Sequence, residues 1–183
     1  MEPDEIRSHL ENAESFPTEA LTAAAVRAPE LAPSVIALLD KASAGIYLIP
    51  KQENLLFFGL HALAAARETG AFHPFLNLLR RSQFVLARLF GDEITTICTQ
   101  LVLSLYDGDC GQLYTLLEDA DVEGSVKWAA FLALTRLACE GRAARDVLVA
   151  FLERFDRQQM APPGDSAWEG WQDAVQYLGL SSF

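Results

Sequence analysis

Ser125–Gly141 reads SVKWAAFLALTRLACEG, an apolar stretch that closes on a glycine. Its apolar residues recur at helical rather than alternating spacing, so the segment predicts an amphipathic helix. Three other stretches end the same way: Asn54–Gly70 (NLLFFGLHALAAARETG), Glu93–Gly108 (EITTICTQLVLSLYDG) and Trp168–Gly179 (WEGWQDAVQYLG). The closing residues Gly70, Gly108, Gly141 and Gly179 are spaced by 38, 33 and 38 positions. A glycine just past a helix supplies the left-handed backbone that ends it, and a period of this size marks stacked helical repeats. Seven residues before each glycine stand Leu63, Leu101, Leu134 and Gln172. A recurring leucine suits a contact between neighbouring units, because each unit hides its apolar stripe only against the next. Gln172 breaks the series where a terminal unit has no neighbour. The fold class expected is all-α: an α-α superhelix, a HEAT/armadillo-like solenoid of antiparallel helix pairs.

Outward from these stretches, the chain divides into elements of one domain, 1–183. N-terminal helices fill 1–50, helix pairs fill 54–90, 91–122 and 123–157, and a terminal helix fills 166–180. Pro3, Pro17 and Pro33 stand at expected helix starts, where a missing N–H costs nothing. A break near Ser82 divides the second member of the first pair. Ile46-Tyr47-Leu48-Ile49-Pro50 is apolar and β-branched, and with no partner strand it is expected to be a buried connector.

The chain carries 25 acids against 14 bases, a net charge of −11. Residues 1–60 contribute −5, residues 61–100 contribute +1 and residues 101–183 contribute −7. Such a balance opposes a phosphate backbone and lacks the counterion release that drives nucleic-acid binding, which disfavours nucleic acid as a partner. The acidic N-terminus has no signal-peptide pattern, and the apolar run Leu55–Ala66 is too short to span a bilayer. Three cysteines (Cys98, Cys110 and Cys139) in no metal-binding spacing read as reduced thiols of a cytoplasmic protein.

The segments Phe16–Leu21 (FPTEAL), Leu89–Thr95 (LFGDEIT), Tyr106–Asp109 (YDGD) and Glu140–Arg142 (EGR) are similar to those of a bacterial domain family of uncharacterised function. The resemblance runs over about residues 15 to 180 and implies a HEAT-like helical fold and no activity. Some members carry a short zinc-binding tail; with no cysteine after Cys139 and an end at Phe183, this chain resembles a shortened member without it.

Residues able to carry chemistry are few. Asp107, Asp109, Glu118, Asp119, Asp121 and Glu123 form an acidic run without an interleaved base. Asp119–Val126 imitates the start of a calcium loop, but the twelfth place is Ala130 where a bidentate glutamate is required, so the acids are expected to cap the next helix. Asp92 and Asp109 stand at helix starts and are candidates for capping or binding. Arg67, Arg80, Arg81 and Arg88 make one basic island interleaved with Phe75, Phe84 and Phe90. The island is a candidate to meet an acidic peptide, a phosphate or the acidic face of another copy, while the placement of Arg67 and of Arg80-Arg81 at helix C-termini also suits the dipole. Trp168 and Trp171 are candidates for an exposed recognition surface or for a hydrophobic lid, and Trp128 reads as core. His61 and His73 are expected to approach each other across the Gly70 turn without forming a metal site.

No catalytic residue, metal or cofactor is assigned. The function expected is a protein- or peptide-binding module, with homo-oligomerisation open. The candidate binding residues are Asp92, Asp107, Asp109, Arg80, Arg81, Trp168 and Trp171, centred on the surface shared by the acidic run and Arg80-Arg81. The alternative is an enzyme on such a scaffold, a DNA-base glycosylase with Asp107, Asp109 and Trp128 at its centre, which the net charge opposes.

Overall fold

The computed structural model describes residues 1–180. Among them are eleven α-helices, one 3-10 turn and no strand. The N-terminal helices are α1 (Pro3–Glu11), α2 (Thr18–Val26), α3 (Ala28–Ser43), α4 (Pro50–Ala65), α5 (Phe72–Leu78) and α6 (Gln83–Phe90). They are followed by α7 (Ile94–Leu105), α8 (Gly111–Glu118), α9 (Gly124–Cys139), α10 (Arg145–Arg157) and α11 (Ala167–Tyr177).

Burial follows helical spacing. Helix α7 buries Ile94, Cys98, Leu101, Val102 and Leu105, and α10 buries Leu148, Phe151, Leu152 and Phe155 with its charges on the other face. Successive helices α4, α7, α9 and α11 pack each on the next, while α3, α5, α8 and α10 lie against that series and α1 and α2 both rest on α4. The leucines Leu63, Leu101 and Leu134 are fully or almost fully buried in these contacts, each contributing about 1.5–3 kcal/mol. Gln172 is exposed, as a helix with no successor allows. Helix α11 approaches α9 closely because Gly170 has no side chain. A Cβ built there would lie 2.6 Å from the backbone Cα of Trp128.

The helix ends differ from the glycine pattern. Gly141 (φ +69) and Gly179 (φ +66) do close α9 and α11, with the amides of Arg142 and Leu180 returning to the carbonyls of Leu137 and Val175. Gly70 does not close α4. The left-handed residue there is Arg67 (φ 56), and the amide of Glu68 returns to the carbonyl of Leu63. Gly70 instead sits in the 3-10 turn Thr69–Ala71, so the 38-residue first spacing is not a repeat of like positions. Gly108 (φ +108) lies in the α7–α8 turn, beyond the α7 C-cap Tyr106.

Two prolines also depart from expectation. Pro33 is inside α3, which starts at Ala28 with Pro29 in its first turn. Helix α4 begins at Pro50 rather than near Asn54, with Gln52 Oε1 accepting from the Ile49 amide at 3.2 Å. The preceding connector is not buried. Leu48 alone turns inward at 2 % exposure, while Ile46, Tyr47 and Ile49 are 56 %, 67 % and 51 % exposed. The span of four residues between the turn at Gly45 and α4 is too short to fold back and cover the outward set.

Candidate functional site

The acidic run meets its counter-charges from distant parts of the chain. Asp119 pairs with Arg80, Glu118 pairs with Arg154, and Asp107 Oδ2 lies 2.9 Å from His73 Nε2. Asp107 Oδ1 also accepts from the Asp109 amide, and Asp109 Oδ1 accepts from the Gly111 amide at the start of α8. Asp109 therefore does the local capping work expected of it. The acids ahead of α9 do not. Asp119 Oδ1 closes a turn with the Asp121 amide, Glu123 accepts from the Gln83 amide at the start of α6, and no side chain caps α9. Lys127 is buried beside this turn, and its pKa is lowered by desolvation against the pull of Asp165 and Asp119. Asp92 is exposed and one residue ahead of Glu93, the N-cap of α7, which makes no side-chain capping bond.

Several expected neighbours are far apart. Asp92 and Asp109 flank opposite ends of α7, a helix of 12 residues and about 18 Å. Asp107 and Asp109 follow Tyr106, whose hydroxyl reaches the Arg142 carbonyl past the C-terminus of α9, whereas Trp128 lies near the N-terminus of that 16-residue helix. The residues cast for glycosylase chemistry are thus separated by most of α9. His61 does not meet His73 either: it packs edge-on to Phe57 at 4.8 Å, and His73 turns to Phe72 and Asp107. No group of three His, Cys, Asp or Glu among the described residues is placed to hold a metal ion.

The two tryptophans of α11 are half-buried and hydrogen-bonded within the molecule. Trp168 Nε1 donates to the carbonyls of Ala161 and Pro162, and its ring meets Phe155 and Trp171 edge-on at 5.2 and 5.8 Å. Trp171 Nε1 donates to the Leu152 carbonyl at 3.0 Å. Trp128 Nε1 donates to Asp173 Oδ2 at 2.9 Å, tying α9 to α11 from the other side. Each indole N–H is satisfied internally, which is the condition for burying such a ring. All three rings are half-buried, with the remaining face of each left to solvent.

One exposed apolar patch lies between the α3–α4 connector and α6. Ile46, Tyr47 and Phe84 flank a groove of about 180 Å³ whose floor includes Leu48 and Leu89. Phe84 is 77 % exposed, the highest among the described aromatic rings. Arg81 and Arg88 stand in the walls. Arg88 pairs with Glu53 and lies over the Tyr47 ring, 4.5 Å from its centroid. Arg81 lies against Gly45, and its Nε is buried without a hydrogen-bond partner. The basic island is therefore split: Arg80 is spent on Asp119, and Arg81 faces the groove. The sequence marks Arg81 and Phe84 as members of one island, but Ile46 and Tyr47 carry no such mark, because an apolar run does not show which face stays uncovered.

The profile of a family described as protein of unknown function (DUF1186) matches residues 1–169. The chain belongs to the DUF1186 family. The match begins earlier than the quoted resemblance, taking in α1 as well as the later helices. No curated protein and no solved structure matches the chain. Membership of DUF1186 therefore brings no reaction, ligand or partner to these residues. No single helix among those described is long and apolar enough to cross a membrane.

Proposed function

We propose that this DUF1186 chain is a HEAT-like helical repeat module of the cytoplasm that binds a protein or peptide. The single observation that carries the reading is the uncovered apolar patch of Ile46, Tyr47, Ile49 and Phe84 around a groove. Clustered exposed apolar side chains mark interaction sites, and aromatic anchors carry most of the energy of such contacts. The succession α4, α7, α9, α11 with a second helix laid against each supports the solenoid reading. Three cysteines outside any disulfide support a reducing compartment. The net charge of −11 favours protein over nucleic acid.

A photo-crosslinking residue placed at Tyr47 and, separately, at Phe84 tests this in cells. The same partner band is expected from both positions and none from Gln112, which is exposed on α8 away from the patch. Identical products from all three positions would sink the reading. A product of twice the chain mass would make the partner a second copy of this protein.

A further inference from the structure

We propose that the groove binds an acidic peptide segment, a carboxylate pairing with Arg81 while an adjacent bulky apolar side chain covers Tyr47 and Phe84. The inference rests on the patch being a binding surface and adds the chemistry of its occupant. Its starting point is the pairing of arginines. Arg7, Arg27, Arg80, Arg88, Arg136, Arg142, Arg154 and Arg157 each pair with a carboxylate, and Arg145 donates to the Leu178 carbonyl. Arg67 extends from an exposed helix end. Arg81 alone is half-buried, with a guanidinium edge sealed from water and no acceptor beside it.

That arrangement is costly in a free protein. An unsatisfied buried donor is destabilising, the more so when it belongs to a charged group. In a chain with 25 acids, the carboxylate that would relieve it is absent from this groove, because Glu53 is held by Arg88. The absence of a side chain at Gly45 lets the Arg81 guanidinium lie against that turn: a Cβ there would come within 3.2 Å of Arg81 Nη2. Arg81 presents a planar fork of donors that a carboxylate fills with two parallel hydrogen bonds. The rim then decides what carries the carboxylate. Ile46, Tyr47 and Phe84 offer apolar faces with few polar groups, suited to an amino-acid side chain next to the acid. A groove of about 180 Å³ admits one or two side chains, and the overall charge repels a polyanion.

The test immobilises the full chain and selects from a random dodecapeptide phage library. Enriched peptides are expected to share an Asp or Glu beside Leu, Ile, Phe or Trp. A fluorescein-labelled synthetic copy should bind Arg81→Met at least about tenfold more weakly than the parent, with partial recovery in Arg81→Lys. Replacing the peptide's acid by its amide should cost the parent the same factor and cost Arg81→Met nothing further, a cycle that separates the pair from any loss of folding. Neutral peptides that ignore Arg81→Met but fail on Tyr47→Ser or Phe84→Ser would overturn the carboxylate and leave the patch as the binding surface. Peptides indifferent to all these variants, or no enrichment, would overturn both. A phosphoserine in place of the acid binding tenfold tighter would reassign Arg81 to phosphate and also overturn the carboxylate.

Discussion

Two proline-flanked connectors of the molecule, one before α4 and one before α11, treat the aromatic residues beside them in opposite ways. The loop between α10 and α11 folds back, so that Ala161 and Pro162 present carbonyls to Trp168. By contrast, Ile46–Pro50 runs straight from α3 into α4 and leaves Ile46, Tyr47 and Ile49 in water. The difference is one of chain length. A loop long enough to return brings backbone acceptors to a ring and covers part of it, whereas a short span has no residues to spare. Aromatic content therefore locates neither core nor binding surface; the length of chain available to cover it does.

That contrast can be broken by substitution. Trp168→Ala should cost about 3 kcal/mol, since the ring packs on Phe155 and Trp171 and is hydrogen-bonded. Tyr47→Ser and Phe84→Ser should each stay within about 0.5 kcal/mol, as expected of exposed side chains. Urea unfolding of the three variants checks both halves, and an equal loss at the two places would erase the distinction. Gly170→Ala should cost about 1–3 kcal/mol, because the new methyl meets the Trp128 backbone and forces α11 off α9. A smaller effect, about 1 kcal/mol, is expected for Trp171→Phe, which leaves the Leu152 carbonyl without its indole donor.

The N-terminal half has a pH dependence of its own. Burial lowers the pKa of His61 from its ordinary 6.5. As pH falls below 6.5 the unfolded chain takes the proton first, so this contribution to stability is present at neutral pH and is lost on acidification, the loss ending once the folded imidazole also protonates. Denaturation midpoints at about pH 7.5 and 5.5 should differ less in His61→Gln than in the parent. An unchanged difference would mean that His61 titrates alike in both states.

Sequence periodicity was informative about buried stripes and poor about helix ends. Leu63, Leu101 and Leu134 are buried as a shared register demands, because the register of a helix face depends on local spacing alone. Gly70 misled because the left-handed residue closing α4 is Arg67, a conformation that non-glycine residues reach at a cost of roughly 1–2 kcal/mol when packing repays it. The acidic run was legible as charge, but its partners Arg80, Arg154 and His73 come from other helices. Thus Arg80 and Arg81, adjacent in sequence, could be read only as a pair. Their division between an ion pair and an open groove depends on which helix each faces, and no spacing rule carries that.

The central claim is that the interactive surface lies at residues 46–49 and 81–88 and not at the tryptophans. A titration of the isotope-labelled full chain with the library-selected peptide, followed by amide and indole NMR signals, addresses it most directly. Shifts confined to the α3–α4 connector, Arg81 and α6, with the Trp168 and Trp171 indole signals unmoved, are the predicted result. Indole shifts at Trp168 and Trp171 with a silent connector would contradict it.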